Sequence, residues 1–591
     1  MSEFRVGIAL VTVFFAVGNA CVHDNQFFSK FVRGHQHYSS DRRIGLTAPI
    51  RIKFNTKFIE VTTVPLDVQN YIKTLLTYVQ SRLLSVLAVQ PVVGNLFVPR
   101  NCSLYWTQGA NKGQCAEAST VNQCGEVQQI PAEDLGDLAV FLTNGSKYNV
   151  SSGTGVSNAD LLIYVTYLAT RVCDNSTLAY AIPCQIDQND RPIVGSINFC
   201  PSKATPFNDP ADLAYHKETA LHELIHVLGF NFLLFSFYRD ESGSPRTLRC
   251  PSAPGCTPND ADGDPPFNLS TGAYALSPST VLVTTRRGAR VSYVVTPAAR
   301  SVARGYFGCQ TAPGAELENS GNAEGTAGSH WEKRILFNEL MTGSISEGIP
   351  EVLSEFTLAL LADSGWYAVN YSAADPAPLR FGRALGCGFL DADCAAAAPA
   401  FPYCLPAAQP ASPSAAGCTF DRAAAGQCLR DPLMDGCAIY YPYANGGCDN
   451  ASGRATLLAD CGGRDCRGGQ YGPGTACFAS SAMAAGYAGG ARGTEKDAPP
   501  LPCFRPVPFS ACLPVCLSEC FLGRNVCVFQ TQRFVYANEN NWSELSLPLS
   551  LPLSLSPSLS LSLSLSPSLP LSLPPFDVCL RERLIDRQIG R

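Results

Sequence analysis

The chain has 591 residues, of which 46% are hydrophobic and 16% are charged, with 43 Lys and Arg against 49 Asp and Glu. This composition excludes a wholly disordered chain, because it provides enough apolar side chains for a buried core. The formal net charge of −6 argues against a protein that mainly binds nucleic acid, since that role needs a basic surface.

The cysteines and the N-terminus both indicate the secretory pathway. The chain has 26 cysteines and only seven histidines, which favours disulfides in an oxidising compartment over zinc fingers. Arg5, the apolar run 6–17 and the small residues 18–20 are typical of a signal peptide over residues 1–20. We therefore expect a secreted or cell-surface glycoprotein, with sequons at Asn101, Asn144, Asn149, Asn175, Asn268, Asn370, Asn450 and Asn541.

The next part of the chain predicts a mixed unit of strands and helices. Alternating apolar residues predict a strand at 50–54, and continuous apolar runs predict buried strands at 161–167 and 193–197. Apolar residues at helical spacing predict a helix near 66–88, and a second helix is expected near 212–229. This order of elements predicts an α/β or α+β unit.

The C-terminal third differs in composition. Between Cys387 and Cys527 lie 15 of the 26 cysteines, which predicts a disulfide-rich, loop-rich domain over 387–535. Residues 536–591 contain a Leu-Ser-Pro repeat whose serines and prolines exclude a membrane helix. Because a CT dinucleotide repeat also encodes alternating Leu and Ser, we expect this tail to be disordered or an artefact of gene annotation, which sequencing the transcript would test.

The strongest chemical signal is the pentapeptide His222-Glu223-Leu224-Ile225-His226. Four helical residues turn the chain by about 400°, so His222 and His226 lie one turn apart on one face and can bind one zinc ion. Glu223 lies about 60–100° away from each histidine, where it reaches a water on the metal rather than the metal itself. The apolar flanks of this helix predict a buried site.

A catalytic zinc needs a third protein ligand and one open position. The compact spacing H-E-x-x-H-x-x-G-x-x-H places that ligand at residue 232, which is Phe in this chain. Gly229 occupies the glycine position, and we expect it to let the helix end and the chain turn.

The third ligand is therefore sought elsewhere. Beyond the N-terminal segment, the remaining histidines are His216 and His330. His216 lies about 240° from His222 around the helix, so we expect it to face solvent. Elimination favours His330 as the third ligand, and a glutamate, Glu332 or Glu339, is the alternative.

The sequence continues with His330-Trp331-Glu332 and then with the stretch Leu336 to Gly343. These residues resemble the leishmanolysin family of metzincin metallopeptidases. Further matching stretches are Cys184 to Asp187, Arg191 to Ile193, Asn198 to Pro201 and Thr357 to Tyr367. The resemblance covers roughly residues 21–530. It implies a metzincin-like α+β fold, His330 as the third zinc ligand and Met341 as the Met-turn residue beneath the metal.

The resemblance also implies how the chain is divided and kept latent. Cys21-Val22-His23-Asp24 resembles the family's pro-segment, whose cysteine is a fourth zinc ligand. It implies a pro-segment over 21–47, removed near Arg42-Arg43, with Cys21 as the candidate cysteine switch; a disulfide at Cys21 is the alternative. Residues 48–230 would form the N-terminal catalytic subdomain, and residues 231–386 the insertion, third ligand and Met-turn subdomain.

These features predict a zinc-dependent endopeptidase with one Zn²⁺ per chain and protein or peptide substrates, no nucleic-acid partner, and an association with the cell surface. Zinc lowers the pKa of a bound water to about 7, and Glu223 is expected to take its proton and pass it to the leaving amine. The alternative is a catalytically silent, cysteine-rich cell-surface adhesion protein on a metallopeptidase scaffold. A lost glutamate or a lost ligand would indicate that alternative.

Overall fold

Residues 31–448 contain most of what the computed structural model of this protein describes. The described residues are 31–34, 36, 38, 47–173, 177–206, 210–254, 256, 263–268, 272–320, 326–345, 349–375, 379–392, 394, 401–406, 416–448, 476–477, 503–504, 533–538 and 541–546. The predicted signal peptide, Cys21, Arg42-Arg43 and the Leu-Ser-Pro repeat lie outside them. The chain divides into two units, Met1–Val507 and Pro508–Arg591.

The first unit contains six α-helices among its described residues. In chain order they are α1 Leu66–Val86, α2 Pro210–Leu228, α3 Pro297–Phe307, α4 Lys333–Leu336, α5 Glu355–Asp363 and α6 Gly386–Asp391, with short 3₁₀ turns at Leu234–Phe237, Tyr371–Ala373 and Pro432–Met434.

The strands are short outside the central sheet. In chain order they are β1 Val32–Gly34, β2 Ala48–Pro49, β3 Ile52–Asn55, β4 Leu87–Val89, β5 Asn95–Leu96, β6 Cys102–Tyr105, β7 Cys115–Ala118, β8 Leu138–Phe141, β9 Lys147–Val150, β10 Val156–Ser157, β11 Leu161–Thr166, β12 Ala179–Asp187, β13 Pro192–Phe199, β14 Phe267–Asn268, β15 Ala273–Tyr274, β16 Val281–Arg286, β17 Ala289–Val294, β18 Ala315–Leu317, β19 Ala368–Val369, β20 Ala416–Cys418, β21 Ala424–Arg430, β22 Ala438–Gly447, β23 Ala476–Cys477 and β24 Cys503–Phe504. The second unit contains the antiparallel hairpin β25 Arg533–Asn538 and β26 Asn541–Ser546.

A five-stranded mixed sheet, in the order β1-β12-β13-β11-β3, forms the scaffold of the first unit. The pairs β3–β11, β11–β13 and β1–β12 are parallel, whereas β12 and β13 are antiparallel. The predicted strands at 161–167 and 193–197 are thus confirmed as β11 and β13, side by side at the centre. Together with the helices they confirm the predicted α+β fold class.

Both faces of this sheet are buried, which explains the continuous apolar runs. Side chains alternate along a strand, so Leu161 and Ile163 join the main core while Leu162 and Tyr164 join a second apolar cluster. The main core lies beneath α1 and α2, and the second lies beneath the loop-rich segment 92–135. A sheet covered on both sides needs no polar alternation in its sequence.

Helix α1 begins after Pro65 and carries Asp67 in its first turn, where a carboxylate interacts favourably with the helix dipole. All the apolar residues that define its predicted face are buried, namely Val68, Tyr71, Ile72, Leu75, Leu76, Val79 and Leu83. The prediction of this helix near 66–88 is confirmed. Helix α2, which packs against α1 and against β12, is the predicted helix near 212–229.

Gly195 in β13 allows α2 to lie close against the sheet. A Cβ atom built on this glycine would lie 2.5 Å from the Val227 side chain and 2.9 Å from the Ile182 carbonyl oxygen. Both distances are shorter than real Cβ contacts allow, so a glycine is needed here. The close packing fixes the height of α2, and with it the pentapeptide, above the sheet.

Residues after α5 continue the same core. Leu379, Phe389, Tyr403 and Ile439 belong to the main apolar cluster. The predicted domain boundary at residue 387 remains a prediction from composition, and among the described residues the packing is continuous across it. The strands β20, β21 and β22 form an antiparallel sheet in this region.

Disulfides connect distant parts of the described chain. They are Cys102–Cys115, Cys124–Cys184, Cys173–Cys200, Cys250–Cys256, Cys309–Cys387, Cys394–Cys437, Cys404–Cys428 and Cys418–Cys477. They confirm the prediction that this chain carries disulfides. Within the described residues, we find no helix with the length and apolar character that crossing a membrane requires.

Candidate active site

Helix α2 and the segment before α4 bring three histidines together. The Nε2 atom of His222 lies 2.9 Å from Nε2 of His226 and 3.2 Å from Nε2 of His330. All three side chains are fully buried. Within the described residues they are the group of His, Cys, Asp and Glu side chains that could hold a metal ion.

Each of these imidazoles is oriented by one backbone carbonyl. The Nδ1 atoms of His222, His226 and His330 lie 2.6 Å from Leu340 O, 2.7 Å from Phe230 O and 2.8 Å from Thr326 O. A carbonyl oxygen only accepts hydrogen bonds, so each Nδ1 carries the proton and donates it. Each Nε2 therefore presents a lone pair.

The three Nε2 atoms lie within 4.8 Å of one another, and this arrangement fits a metal ion. A tetrahedral zinc ion about 2.0–2.1 Å from each nitrogen separates its ligand nitrogens by about 3.3–3.4 Å, close to the distances between these Nε2 atoms. Neutral imidazoles held by a second hydrogen bond are the usual ligands of such an ion. Burial lowers the pKa of His222 to about 4, so this ring is neutral at neutral pH.

Glu223 links the helix to the edge of the central sheet. Its Oε2 accepts a hydrogen bond of 3.0 Å from the backbone N–H of Ala181 in β12, and its side chain is fully buried. Glu223 follows His222 directly in α2.

The loop that contains Met341 joins both halves of the histidine cluster. The carbonyl oxygen of Leu340 accepts from His222, and that of Met341 accepts from the N–H of Trp331 at 2.9 Å, next to His330. Met341 is fully buried. Two successive carbonyl groups therefore hold the helix side and the His330 side in one register.

Glu339 and Glu332, the alternative third ligands, bond elsewhere. The Glu339 carboxylate accepts from Met341 N at 2.6 Å, Ser354 Oγ at 2.8 Å and Thr357 Oγ1 at 2.6 Å. Burial raises its pKa to about 7. Glu332 caps α4 by accepting from Arg334 N at 3.1 Å. Glu339 thus supports the Met341 loop instead of joining the histidines.

His216 was expected to face solvent, and this prediction is wrong. Its side chain is 3% exposed, and Nδ1 lies 2.8 Å from the hydroxyl of Tyr71 in α1. Desolvation lowers its pKa to about 4. The angular argument correctly separated His216 from His222, but it did not include α1, which covers this side of α2.

Gly229 follows the last residue of α2, as the motif predicted, but for a different reason. Its backbone is not left-handed, since it is absent from the residues with positive φ. A Cβ atom here would lie 3.3 Å from Leu361 and 3.6 Å from Trp366, which leaves little room for a side chain. The turn beyond it carries the Phe230 carbonyl back to His226.

The groups that orient the site could not be identified from the sequence. Leu340, Phe230, Thr326 and Ala181 act through backbone atoms, which every residue type possesses. No residue type marks such positions. Glu339 could be found only through its polar partners, Ser354 and Thr357, which are distant in sequence.

Comparison with known proteins agrees with this geometry. The family model described as Leishmanolysin (peptidase M8) matches residues 145–243 and 275–484, more than half of the chain. The chain is 35% identical to the leishmanolysin-like peptidase of Caenorhabditis elegans over 387 residues, which cover 60% of this chain and 55% of that protein.

Other relatives show similar coverage. Identity to the leishmanolysin-like peptidase of Drosophila pseudoobscura pseudoobscura is 39% over 293 residues, covering 47% of this chain and 40% of that protein. Identity to the ciliated left-right organizer metallopeptidase of Mus musculus is 32% over 381 residues, covering 62% and 48%. The chain spans about half the length of the curated relatives it matches. By the extent of the family match, the chain belongs to the leishmanolysin family of metallopeptidases.

Proposed function

We propose that the protein is a zinc-dependent endopeptidase that hydrolyses peptide bonds in proteins, with His222, His226 and His330 as zinc ligands. The observation that carries this proposal is the convergence of three Nε2 lone pairs, each fixed by an Nδ1–carbonyl hydrogen bond. A zinc ion in this position supplies a Lewis acid that polarises the scissile carbonyl and acidifies a water molecule.

Glu223 is the general base in this proposal. It takes a proton from the attacking water and delivers it to the nitrogen of the leaving amine. The hydrogen bond from Ala181 N–H to Oε2 orients the carboxylate of Glu223. The alternative, a silent adhesion protein, would be favoured by a missing glutamate or ligand, and all four side chains are in place.

Met341 has a supporting role. Its carbonyl and that of Leu340 hold two ligand-bearing segments together, so the Met-turn fixes the spacing of the histidines.

Secretion or a cell-surface location is also part of the proposal. The eight disulfides among the described residues fit an oxidising compartment.

We further propose that the segment 21–47 keeps the enzyme latent through Cys21. The support comes from β1, which pairs in parallel with β12 so that Val32 lies opposite Gln185. Because β1 runs parallel to β12, the N-terminal end of β1 points toward the N-terminal end of β12, where Ala181 N–H donates to Glu223. Eleven residues separate Cys21 from Val32, a reach of up to roughly 36 Å, whereas Gln185 lies about 13 Å along the strand from Ala181.

The peptidase proposal is tested by comparing Glu223→Gln with Glu218→Gln in the full-length chain carrying Cys21→Ala, so that the proposed latency does not mask cleavage. Both change one glutamate of α2 to its amide, but Glu218 is outside the histidine cluster. We expect Glu223→Gln to retain one zinc per chain and to lose casein cleavage by about 10²–10⁴-fold, while Glu218→Gln keeps both. Cleavage by Glu223→Gln at the wild-type rate, or a wild-type chain without zinc, would refute the proposal.

Latency is tested separately with Cys21→Ala. A thiolate at the open position of zinc excludes the attacking water, so its removal should make the unprocessed chain active. A thiol-capping mercurial should do the same to the parent chain. If Cys21→Ala binds zinc normally and stays as inactive as the parent, Cys21 is not a switch.

A further inference from the structure

The N-terminal segment is fastened to the catalytic unit by contacts that do not involve the histidine cluster. The described residues of 31–38, here called the docking segment, include β1, which pairs with Gln185, Ile186 and Asp187 of β12. This pairing adds a strand to the edge of the central sheet. The rest of the attachment comes from side chains on both sides of β1.

Arg33 lies in a clamp formed by two carboxylates. Its Nη1 contacts the Asp190 carboxylate and donates to the Asp187 carbonyl at 3.1 Å, and its Nη2 contacts the Asp264 carboxylate. The side chains of Asp190 and Asp264 are 0% and 4% exposed. Together the two carboxylates raise the pKa of Arg33 against the effect of its burial. A lysine has one terminal nitrogen and cannot span these acceptors.

Phe31 fills an aromatic cup two residues earlier. Its ring centroid lies 5.3 Å from that of Phe237, edge to face, and 6.1 Å from that of Tyr274. Its backbone N–H donates to the Tyr274 hydroxyl at 3.0 Å, and the residue is 7% exposed. An aromatic residue and an arginine two positions apart are therefore recognised together.

The end of the docking segment is held by polar contacts. Gln36 N donates to Gln188 Oε1 at 2.8 Å, and Gln188 Nε2 donates back to Gln36 O at 2.7 Å. The Tyr38 hydroxyl contacts the Asp187 carboxylate and accepts from Arg191 at 3.1 Å. Strand pairing, an aromatic cup, an arginine clamp and these contacts make a built binding surface.

We propose that this surface, the docking face, is a peptide-binding site for an extended segment with an aromatic residue two positions before an arginine, and that it retains the N-terminal segment as a separable ligand after the chain is cut at Arg42-Arg43. The docking face consists of Gln185 to Asp187, Asp190, Asp264, Phe237 and Tyr274. The inference rests on the proposed role of residues 21–47 as a pro-segment. Cutting alone then leaves the segment in place, and activation requires its dissociation.

The proposed cut is a hydrolysis of one peptide bond by an external protease. One water is consumed, the Arg43–Ile44 peptide bond breaks, and a carboxylate on Arg43 and an amine on Ile44 result. The described contacts of Phe31, Arg33, Gln36 and Tyr38 are made with residues of the catalytic unit. The fragment therefore keeps its binding groups, and its affinity is that of strand addition with two specific pockets.

The test uses the full-length chain with Glu223→Gln and Cys21→Ala. The first change prevents self-digestion, and the second removes both a thiolate–zinc contact and a disulfide as reasons for retention. The chain is cut with a protease specific for paired basic residues, and native mass spectrometry and gel filtration then follow the fragment. We expect the fragment to co-elute with the body.

Variants at Arg33 provide the decisive comparison. Arg33→Ala should speed dissociation of the fragment by about 30-fold or more, because it removes the bonds of the guanidinium to Asp190, to Asp264 and to the Asp187 carbonyl. Arg33→Lys should dissociate at an intermediate rate, and Arg290→Ala, an exposed arginine of β17, should behave as the parent. Immediate loss of the parent fragment, or equal retention of the Arg33→Ala fragment, overturns the proposal.

A second measurement avoids folding defects in these variants. A labelled peptide with the sequence of residues 27–40 is added to the cut parent protein, and its exchange with the resident fragment is followed. We expect the peptide to bind, and its Arg33→Lys form to bind about tenfold more weakly. Equal binding of both peptides, or of neither, refutes the docking face. Because no readout uses catalysis, failure here leaves the peptidase proposal intact.

Discussion

The two sides of the histidine cluster are built in different ways. His222 and His226 lie on a regular helix packed in an apolar core, with Leu221, Leu224 and Ile225 fully or almost fully buried around them. His330 lies in a segment with little regular structure, followed by the four-residue helix α4. The contrast shows that one metal-binding geometry can be fixed either by a periodic element or by a network of specific contacts.

The His330 side is held by buried charged groups. Lys333 is fully buried, with its Nζ 3.2 Å from the Asp431 carboxylate and 3.0 Å from the Ser344 carbonyl. Arg287 binds Glu316 at 2.5 Å. Burial raises the pKa of Glu318 to about 7. Such a network is stable only when every member keeps its partner, whereas an apolar helix face tolerates change more gradually.

The largest effect is expected at His330. This residue lies on the network side and completes the histidine cluster begun by the helix. We expect His330→Ala to lower zinc affinity by more than about 100-fold, since a lost ligand costs more than a lost supporting group. Zinc per folded chain is measured after dialysis. His216→Asn is the control, because it alters a buried histidine of α2 outside the cluster and should retain zinc. Normal zinc content in His330→Ala would contradict this assignment and favour the alternative, a glutamate as third ligand.

Removing a disulfide tests how far covalent links support the network side. Cys309–Cys387 closes a loop with a sequence separation of 78, so Cys309→Ser/Cys387→Ser should lower the free energy of unfolding by about 4.5 kcal/mol. Cys250–Cys256, with a separation of 6, should contribute about 2.4 kcal/mol by the same loop-entropy relation. Urea titrations of both double variants measure this ordering. Equal losses would show that loop entropy is not the source of the stabilisation.

The ion pair of Lys333 and Asp431 tests whether the network side loses stability when one member of a buried charged pair is removed. Lys333→Met should cost about 3 kcal/mol, because Asp431 remains buried without its cation. Lys333→Met/Asp431→Asn should be less destabilised than the single variant, since no unpaired charge remains. Urea midpoints of the two variants give this comparison. If the double variant is the less stable of the two, the pair itself is the source of the stability.

His216 is a titratable group of the helix side whose contribution to stability depends on pH. The pKa of His216 is lowered to about 4 in the folded chain by burial, so the unfolded chain binds the extra proton between about pH 4 and 6.5. The contribution of His216 to stability should therefore rise with pH across this window, by about 2 kcal/mol, and be constant above it. His216→Asn should reduce the slope measured by urea unfolding at pH 4.5 and 7.5. An unchanged slope would show that His216 does not cause it.

The elements on the helix side could be predicted because their signals are local. The apolar spacing of α1, the runs of β11 and β13 and the pentapeptide are each contained in one stretch of sequence. The exposure of His216 could not be predicted, because it depends on contact with Tyr71 at a distance of 145 residues. His330 was found only because the chain has few histidines, and its supporting network joins residues too far apart in sequence to form a pattern.

The complete burial of His222, His226 and His330 has a consequence for how quickly the site gains and loses a metal ion. A chelator can bind the ion at its open position, but it cannot displace the buried histidines until one ligand-bearing segment opens, so exchange must wait for that opening. The rate of metal removal should then reach a plateau as chelator concentration rises, set by the opening rate of the Leu340–Met341 loop. The lifetime of the bound metal ion is then set by the opening rate and not by the equilibrium affinity of the site for the metal. A latent chain of this kind would keep its metal through passage across compartments that contain strong competitors.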